Sequence, residues 1–380
     1  MRVLIVGGGV AGLTLAAKLV QQGREPTVIE RLPAYSDAGY GIGLYPLGSA
    51  VLHGLGVYQD LVANSLEGCR YEIANGAGEI LQSLDLSELS AGAGPLLMLS
   101  RTHLIEVLLK ACRSLGVRMG TSVVSFERFT DKVRVAFSDR TTEEFDLLVA
   151  CDGANSTIRT QVSRHQSVFD THWTIWTWWG TDQLFPQGLV REHWGAGFFF
   201  GVYPVPSRCM FCAGLPPATG VDPHAETGVL RRQIAASLND LMSDVPAVGR
   251  ALEESNQFFA WPMSDVRSGE WYDGRAVLCG DACASYLPTA GVGASSAMRS
   301  AAALADELSK VDSARVPLAL ELYTKRSRKF VEGNQDDSRT VARLMFVKSK
   351  LAAWARDRMV RYYPATRMLK QIIASMHQPF

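Results

Sequence analysis

The chain has 380 residues, 47% of them hydrophobic, and its 38 Lys and Arg balance 38 Asp and Glu. A chain of that length exceeds one ordinary core, so two domains are expected, and a net charge of zero argues against nucleic acid as a partner. The longest apolar candidate, the glycine-rich start, is broken by Lys18 and lacks the basic region and cleavage site of a signal peptide, so neither a membrane span nor secretion is expected and the location is read as cytoplasmic.

Arg2 to Arg31 organises the rest. Val3, Leu4, Ile5 and Val6 form a short apolar run that ends in Gly7, Gly9 and Gly12 at GxGxxG spacing. Leu13, Ala16, Ala17, Leu19 and Val20 recur with helical period, and Thr27 to Ile29 form a second short strand ending at Glu30, which completes a βαβ unit. Gly7 permits the tight turn, Gly9 lets a pyrophosphate touch the backbone, and Gly12 lets helix and strand pack closely. Glu30 stands where a carboxylate accepts the hydroxyls of an adenosine ribose.

A loop rich in Gly, Pro and Tyr leads to a helix expected around Ser49 to Ala63. Tyr71 to Leu86 then turns like a small sheet, with Asn75 and Gly76 at the turn. A short strand delivers Arg101 to the start of a helix, and paired strands are expected over Thr121 to Arg128 and Lys132 to Ser138. The strand Leu147 to Cys151 stops at Asp152 and Gly153, a turn at the carboxyl end where ligands bind in α/β sheets.

From about His165 to Trp261 the sequence is strand-like and crowded with aromatics, interrupted by a helix around Gly228 to Leu252. Cys209 and Cys212 form a CxxC there, but a separation of three in a strand turns them to opposite faces, and no metal site is expected. The seven scattered cysteines suit buried thiols. A buried strand, Gly280-Asp281, a proline loop and a helix launched from Gly291 and Gly293 follow, and helical sequence fills Leu318 to about Met376. The domains expected are a discontinuous dinucleotide-binding one (1–70, 96–164 and 270–315), an inserted sheet domain (71–95 and 165–269) and C-terminal helices (316–380).

Taken together, the GxGxxG with Glu30, the strand-terminal Asp152-Gly153, and Gly280-Asp281 with its following helix resemble the single-component flavoprotein monooxygenases of the aromatic-hydroxylase type, the group containing para-hydroxybenzoate and salicylate hydroxylases. The resemblance covers nearly the whole chain, including WPMSDV at 261–266 and YTKRSRKF at 323–330. It implies an α/β fold: a Rossmann-like FAD-binding domain, an inserted, mainly antiparallel β-sheet domain for substrate, and a C-terminal helical segment. By the same resemblance Gly7, Gly9, Gly12 and Glu30 contact the FAD pyrophosphate and ribose, with Arg31 beside the adenosine. Arg101 reaches the cofactor, Asp152 and Gly153 serve FAD and NAD(P)H, and Asp281 hydrogen-bonds the ribityl chain. Pro288, Gly291, Val292 and Gly293 form the loop beside the isoalloxazine.

Elementary physics agrees with part of this. A helix begun at Gly293 aims free N–H groups and a positive dipole end at whatever precedes it, which suits the negative pyrimidine end of reduced flavin. A Cβ at Gly291 would obstruct the ring. The chain departs from the family pattern at Ala284, where His is usual, at Val292, where Gln is common, and at Arg299-Ser300, where Glu-Asp is usual. None removes a backbone contact; flavin tuning and substrate-side hydrogen bonds are what they affect.

The activity implied is monooxygenation. NAD(P)H reduces FAD, O2 adds at the flavin C4a to give a hydroperoxide, and oxygen transfers to a small phenolic, polycyclic or heteroaromatic substrate. His193 and Tyr203, with Pro288 of the flavin loop, form the expected catalytic set, and His172 and Tyr45 are further candidates for ionising a phenol. An oxidase or dehydrogenase is the alternative. A halogenase is disfavoured because WTIWTWWG at 173–180 lacks the following Ile-Pro, and no lysine occurs between Lys18 and Lys110. No separate nicotinamide-binding unit is visible. The basic tail, Val341 to Phe380, could dock on an anionic membrane, although a solvated face is the commoner use of such a helix. A monomer or homodimer is expected.

Overall fold

The computed structural model describes residues 1–36, 40–67, 70–89, 94–113, 115–181, 184–186, 188–222, 224–362 and 372. Four short runs, Val3–Val6, Thr27–Ile29, Leu147–Ala150 and Ala276–Leu278, lie parallel in a six-stranded sheet. Val3–Val6 and Leu147–Ala150 are buried throughout, the continuous apolar pattern of parallel strands covered on both faces. Helices Val10–Gln21, Arg101–Ala111 and Gly293–Ser309 contribute to the same core.

Register then decides where the chemistry sits. Val6 pairs with both Ile29 and Ala150, and Ala150 pairs with Leu278, so four strands end level. The residues that follow them, Gly7, Glu30, Cys151-Asp152 and Cys279-Gly280-Asp281, therefore emerge along one edge. This is the carboxyl edge at which α/β sheets bind ligands.

The second large sheet has seven strands, in the order Phe259–Ser268, Gln166–Gly180, Arg208–Leu215, Phe199–Val205, Leu189–Trp194, Arg70–Asn75 and Ile80–Asp85. All neighbours are antiparallel except Leu189–Trp194 beside Arg70–Asn75. Strand alternation sorts its aromatics between two apolar clusters. Trp173, Trp194 and Phe199 share a cluster with Tyr45, Leu287 and Ala290, on the face toward the first sheet's loops. Trp176, Trp178, Phe200 and Phe211 occupy the other face, with Leu230, Ile234 and Val248 from the helices above. Cys209 and Cys212 fall in opposite clusters, as their spacing requires.

Two expected helices prove to be divided. The stretch around Ser49 to Ala63 is Pro46–Leu55 and Tyr58–Val62, separated at Gly56, which takes the left-handed conformation that ends a helix. The stretch around Gly228 to Leu252 is Thr227–Ser237, Asn239–Asp244 and Pro246–Glu253. Pro246 forbids helical geometry at Val245, which sits at φ −130° and ψ 80°.

The C-terminal helices are Val316–Met345 and Lys350–Tyr362. Ala353, Arg356 and Val360 of the second are buried, and Arg356 donates to the Trp194 carbonyl and to Asp357, so one of the tail's cations belongs to the core. Arg367 and Lys370 lie outside the described residues. Among the described residues no helix is long and apolar enough to cross a membrane.

Candidate cofactor and substrate site

The three fingerprint glycines are needed for different reasons. Gly7 has φ +108°, and a Cβ there would lie 2.3 Å from the Cys151 carbonyl oxygen; a Cβ at Gly12 would lie 1.9 Å from the Gly7 carbonyl oxygen. Gly9 has ordinary extended angles, φ −82° and ψ −169°, and a Cβ there would meet no protein atom within 4 Å. Nothing inside the protein asks for glycine at position 9. It is the N-cap of helix Val10–Gln21, with no capping side chain and no acidic residue in the first turn, an open helix end suited to an anion.

Glu30 is tied to that turn. Its carboxylate accepts from Gly8 N–H at 2.9 Å and Leu32 N–H at 3.0 Å, while Tyr35 Oη donates to the Gly8 carbonyl at 3.0 Å. Each carboxylate oxygen has a second lone pair, which leaves capacity for a ribose hydroxyl. Arg31, next along, is exposed on the loop.

Across the edge, Gly153 turns the chain with φ +83°. Asp152 Oδ2 accepts from Thr157 N–H at 3.1 Å, whereas Oδ1 is buried without a hydrogen-bond partner. Burial raises the Asp152 pKa, and hydrogen bonds from Ser156 and nearby backbone oppose that shift. Arg159 joins this loop to the next one: it donates to Ala154 O at 2.6 Å, Ala282 O at 3.3 Å and Asp281 O at 3.5 Å.

Gly280, at φ +62°, packs where a Cβ would stand 2.6 Å from Ala11 Cβ, which brings the last motif onto the first helix. The Asp281 carboxyl is lifted to about 6 by burial, with Arg101 and Arg159 pulling the other way. Its surface nevertheless remains open to water. A group hemmed in by protein yet reachable by solvent lies on the wall of a cleft. Tyr40 joins the group: burial raises its pKa, hydrogen bonding and charge from Arg101 lower it, and Asp281 raises it again. Gly9, Arg101, Asp152 and Asp281 thus converge.

The loop at 288–293 forms the next part of the wall. Pro288–Ala290 make a turn, Gly291 follows at φ +65°, Val292 is buried, and the long helix starts at Gly293. The loop is held from two sides, by Tyr45 Oη donating to Ala290 O at 2.9 Å and by Thr289 Oγ1 donating to Ser338 O at 2.6 Å. Pro288 and Gly291 stay exposed.

Facing the loop, the second sheet presents Tyr71, Glu192, Trp194 and Tyr203. His193 is one residue away and on the opposite face, fully buried, with its ring 6.1 Å from that of Phe200. His172 is exposed at a bulge in its strand. Of the expected catalytic set, Tyr203 and Pro288 belong to the cleft and His193 does not, because adjacent strand residues point to opposite faces. Glu192, Arg159, Tyr35 and Tyr40 escaped the sequence reading. Arg159 alone had a signal, its place closing the motif that begins at Asp152.

The buried His193 has a measurable consequence. Burial, with Arg191 adding to it, depresses its pKa to about 4. It stays neutral in the folded chain while the unfolded chain takes up a proton below about 6.5, so stability falls as pH drops from 6.5 toward 4. Urea denaturation at pH 7 and 4.5 should show His193→Phe escaping about 2–3 kcal/mol of the wild-type acid loss. Equal losses in both proteins would show that His193 does not titrate this way.

The arrangement fits FAD: a glycine with no internal purpose at an open helix end and a solvent-reached aspartate between two arginines lie along the one carboxyl edge of the sheet. Among the described residues no group of His, Cys, Asp or Glu is placed to hold a metal ion.

Comparison with known proteins agrees. Residues 1–338 match the family described as FAD binding domain. Aurachin C monooxygenase/isomerase from Stigmatella aurantiaca is 30% identical over 383 residues, covering 97% of this chain and 96% of that protein. The 2-heptyl-3-hydroxy-4(1H)-quinolone synthase of Pseudomonas aeruginosa is 27% identical over 365 residues, covering 96% and 94%. Among solved structures, Klebsiella pneumoniae HpxO complexed with FAD and uric acid has a TM-score of 0.87 at 22% identity, covering 99% of this chain and 96% of that one. The chain belongs to the FAD binding domain family, and within it to the FAD-dependent monooxygenases of the aromatic-hydroxylase type.

Proposed function

We propose that the protein uses NADH or NADPH and O2 to hydroxylate a nitrogen heteroaromatic of the quinolone kind. The observation that carries this reading is the convergence of Gly9, Arg101 and Asp281 on one cleft whose far wall is the aromatic inner face of the second sheet. The quinolone class is inferred from the quinolone synthase relative.

In this reading the first turn of helix Val10–Gln21, with Gly9, receives the pyrophosphate, and Glu30 the ribose. Arg101, Asp152, Gly153 and Asp281 hold the middle of the cofactor, and 288–293 lie beside its ring. Arg31, exposed on the same loop, lies beside the adenosine. Bound FAD supplies the electron transfer and the activation of oxygen. The protein positions the ring and keeps water out, with residues 1–70, 96–164 and 270–315 as the cofactor domain and 71–95 and 165–269 as the substrate domain.

Anaerobic reduction of the yellow protein by each nicotinamide, with and without phenols and quinolones, tests the reading. Accelerated reduction by one aromatic class, followed in air by a product carrying one added oxygen, is expected. Reduction indifferent to every aromatic, with hydrogen peroxide as the only oxygen product, would instead indicate an oxidase.

A second reading concerns helix Lys350–Tyr362. Leu351, Trp354 and Tyr362 are 74%, 57% and 78% exposed, and Lys350 and Arg358 lie among them, a stripe suited to an anionic lipid surface. Flotation with anionic vesicles should be lost in a Leu351→Ser, Trp354→Ser variant. Equal flotation, or none in the wild type, removes the membrane contact.

A further inference from the structure

Glu192 is 5% exposed and sits at the centre of three neutral donors. Tyr203 Oη donates to Oε1 at 2.6 Å; Tyr71 Oη and Trp194 Nε1 donate to Oε2 at 2.7 and 2.9 Å. No cation makes a salt bridge with it among the described residues. Arg191, its neighbour in sequence, points to the other face and pairs there with Glu72 at 2.7 Å. A buried carboxylate without a counter-ion is costly even when hydrogen-bonded.

Its position relative to the cleft is specific. Tyr71 and Tyr203 are partly exposed and pack against the cluster that holds Tyr45, Leu287 and Ala290, whereas Glu192 and Trp194 are buried, so a molecule beside that cluster meets the tyrosines before the carboxylate. Tyr45, whose hydroxyl holds Ala290 of the flavin loop, shares an apolar cluster with Trp194, and Tyr71 and Tyr203 pack against that cluster, which puts the donors of Glu192 beside the loop.

We propose that Tyr203 and Tyr71, backed by Glu192, form the proton-accepting end of the substrate site, which takes a heteroaromatic or phenolic ring through its acidic O–H. This deepens the hydroxylase reading and rests on it. A tyrosine oxygen that donates to Glu192 retains lone pairs for a substrate hydroxyl. The substrate O–H bond breaks as its proton passes to Tyr203 Oη, and the Tyr203 O–H bond breaks as that proton passes to Glu192 Oε1. The electron pair stays on the substrate oxygen, where it enriches the ring; the negative charge moves from Glu192 to substrate, and no oxidant is consumed.

Tyr71 offers the same route to Oε2. Burial raises the Glu192 pKa while its three hydrogen bonds oppose the rise, which leaves the carboxylate a stronger base than an exposed one. The other groups facing it are Tyr45, Cys212 and, beyond the Trp194 ring at 5.8 Å, the Arg356 guanidinium. In this scheme Glu192 is a positioning and proton-storing residue, and the tyrosines touch substrate.

Two of the three bonds, those from Tyr203 and Tyr71, also join strands, so the test must read ionisation and not stability. FAD-loaded wild type, Glu192→Gln, Glu192→Asp, Tyr71→Phe and Tyr203→Phe are titrated across pH with 4-nitrophenol and 4-hydroxyquinoline, whose absorbance reports the anion. Circular dichroism and the flavin spectrum monitor folding. Wild type should bind the anion and raise the probe's acidity about tenfold or more, one pH unit. Glu192→Gln should abolish that shift, Glu192→Asp restore part of it, and the weaker tyrosine variant mark the route used.

An unchanged shift in Glu192→Gln overturns the proposal, as does a wild type that holds the neutral probe or takes up neither compound. A protein that ionises the probe but never oxygenates an aromatic would sink the hydroxylase reading and leave the relay standing.

Discussion

Gly9→Val should fold as the wild type does and fail to retain FAD. The backbone at Gly9 is extended, with angles any residue adopts, and the space its Cβ would enter contains no protein atom within 4 Å. The substitution therefore leaves the unloaded protein's melting curve unchanged to within about 0.5 kcal/mol. A bulky group at the mouth of helix Val10–Gln21 keeps a pyrophosphate from the first-turn N–H groups, and losing two hydrogen bonds to a charged partner costs about 3 kcal/mol, roughly a hundredfold in affinity. Gly12→Ala is the contrast. Its Cβ would stand 1.9 Å from the Gly7 carbonyl oxygen, so it should damage the fold before any cofactor is added. Flavin fluorescence titration beside denaturation of the unloaded proteins separates the two. A Gly9→Val protein that binds FAD normally would remove the pyrophosphate from that turn.

The second large effect should come from Asp265, which is not among the expected ligand contacts. Its side chain is 0% exposed and receives Arg339 Nε at 2.8 Å and Nη2 at 2.6 Å, a bidentate pair joining strand Phe259–Ser268 to helix Val316–Met345. Removing Asp265 leaves Arg339 with only the longer Asp336 pair at 3.8 Å, so Asp265→Ala should lose about 3 kcal/mol in urea denaturation. Asp265→Ala with Arg339→Met should recover part of that, since no bare charge remains. The same helix carries Gln335, which donates to Ser285 O at 2.7 Å, and Ser338, whose carbonyl holds Thr289. Loosening it should also weaken FAD retention. A single variant within 1 kcal/mol of wild type would show that the pair contributes little.

The first βαβ unit was legible from local pattern alone. Apolar runs of four, a helical period and glycines at fixed spacing dictate their own geometry, and the strands ending at Ile29, Ala150 and Leu278 each announced a turn at the carboxyl edge. Level register among those strands then made separated motifs into one site. The resemblance to flavoprotein hydroxylases rested on those same turns.

What local pattern left undecided was the second sheet. Usually one face of an antiparallel sheet is polar, and alternation shows which side is in. Here both faces are buried, one against the cofactor side and the other beneath helices, so alternation does not tell whether His193 or its neighbour Glu192 turns toward the cleft. Only the packed sheet places Glu192 toward the cleft and His193 away from it. Sequence alone determined the nucleotide-binding turn, because its constraints act over a few bonds. Tertiary structure decided which polar side chains face substrate, because that depends on which of two apolar surfaces each strand turns toward its neighbours.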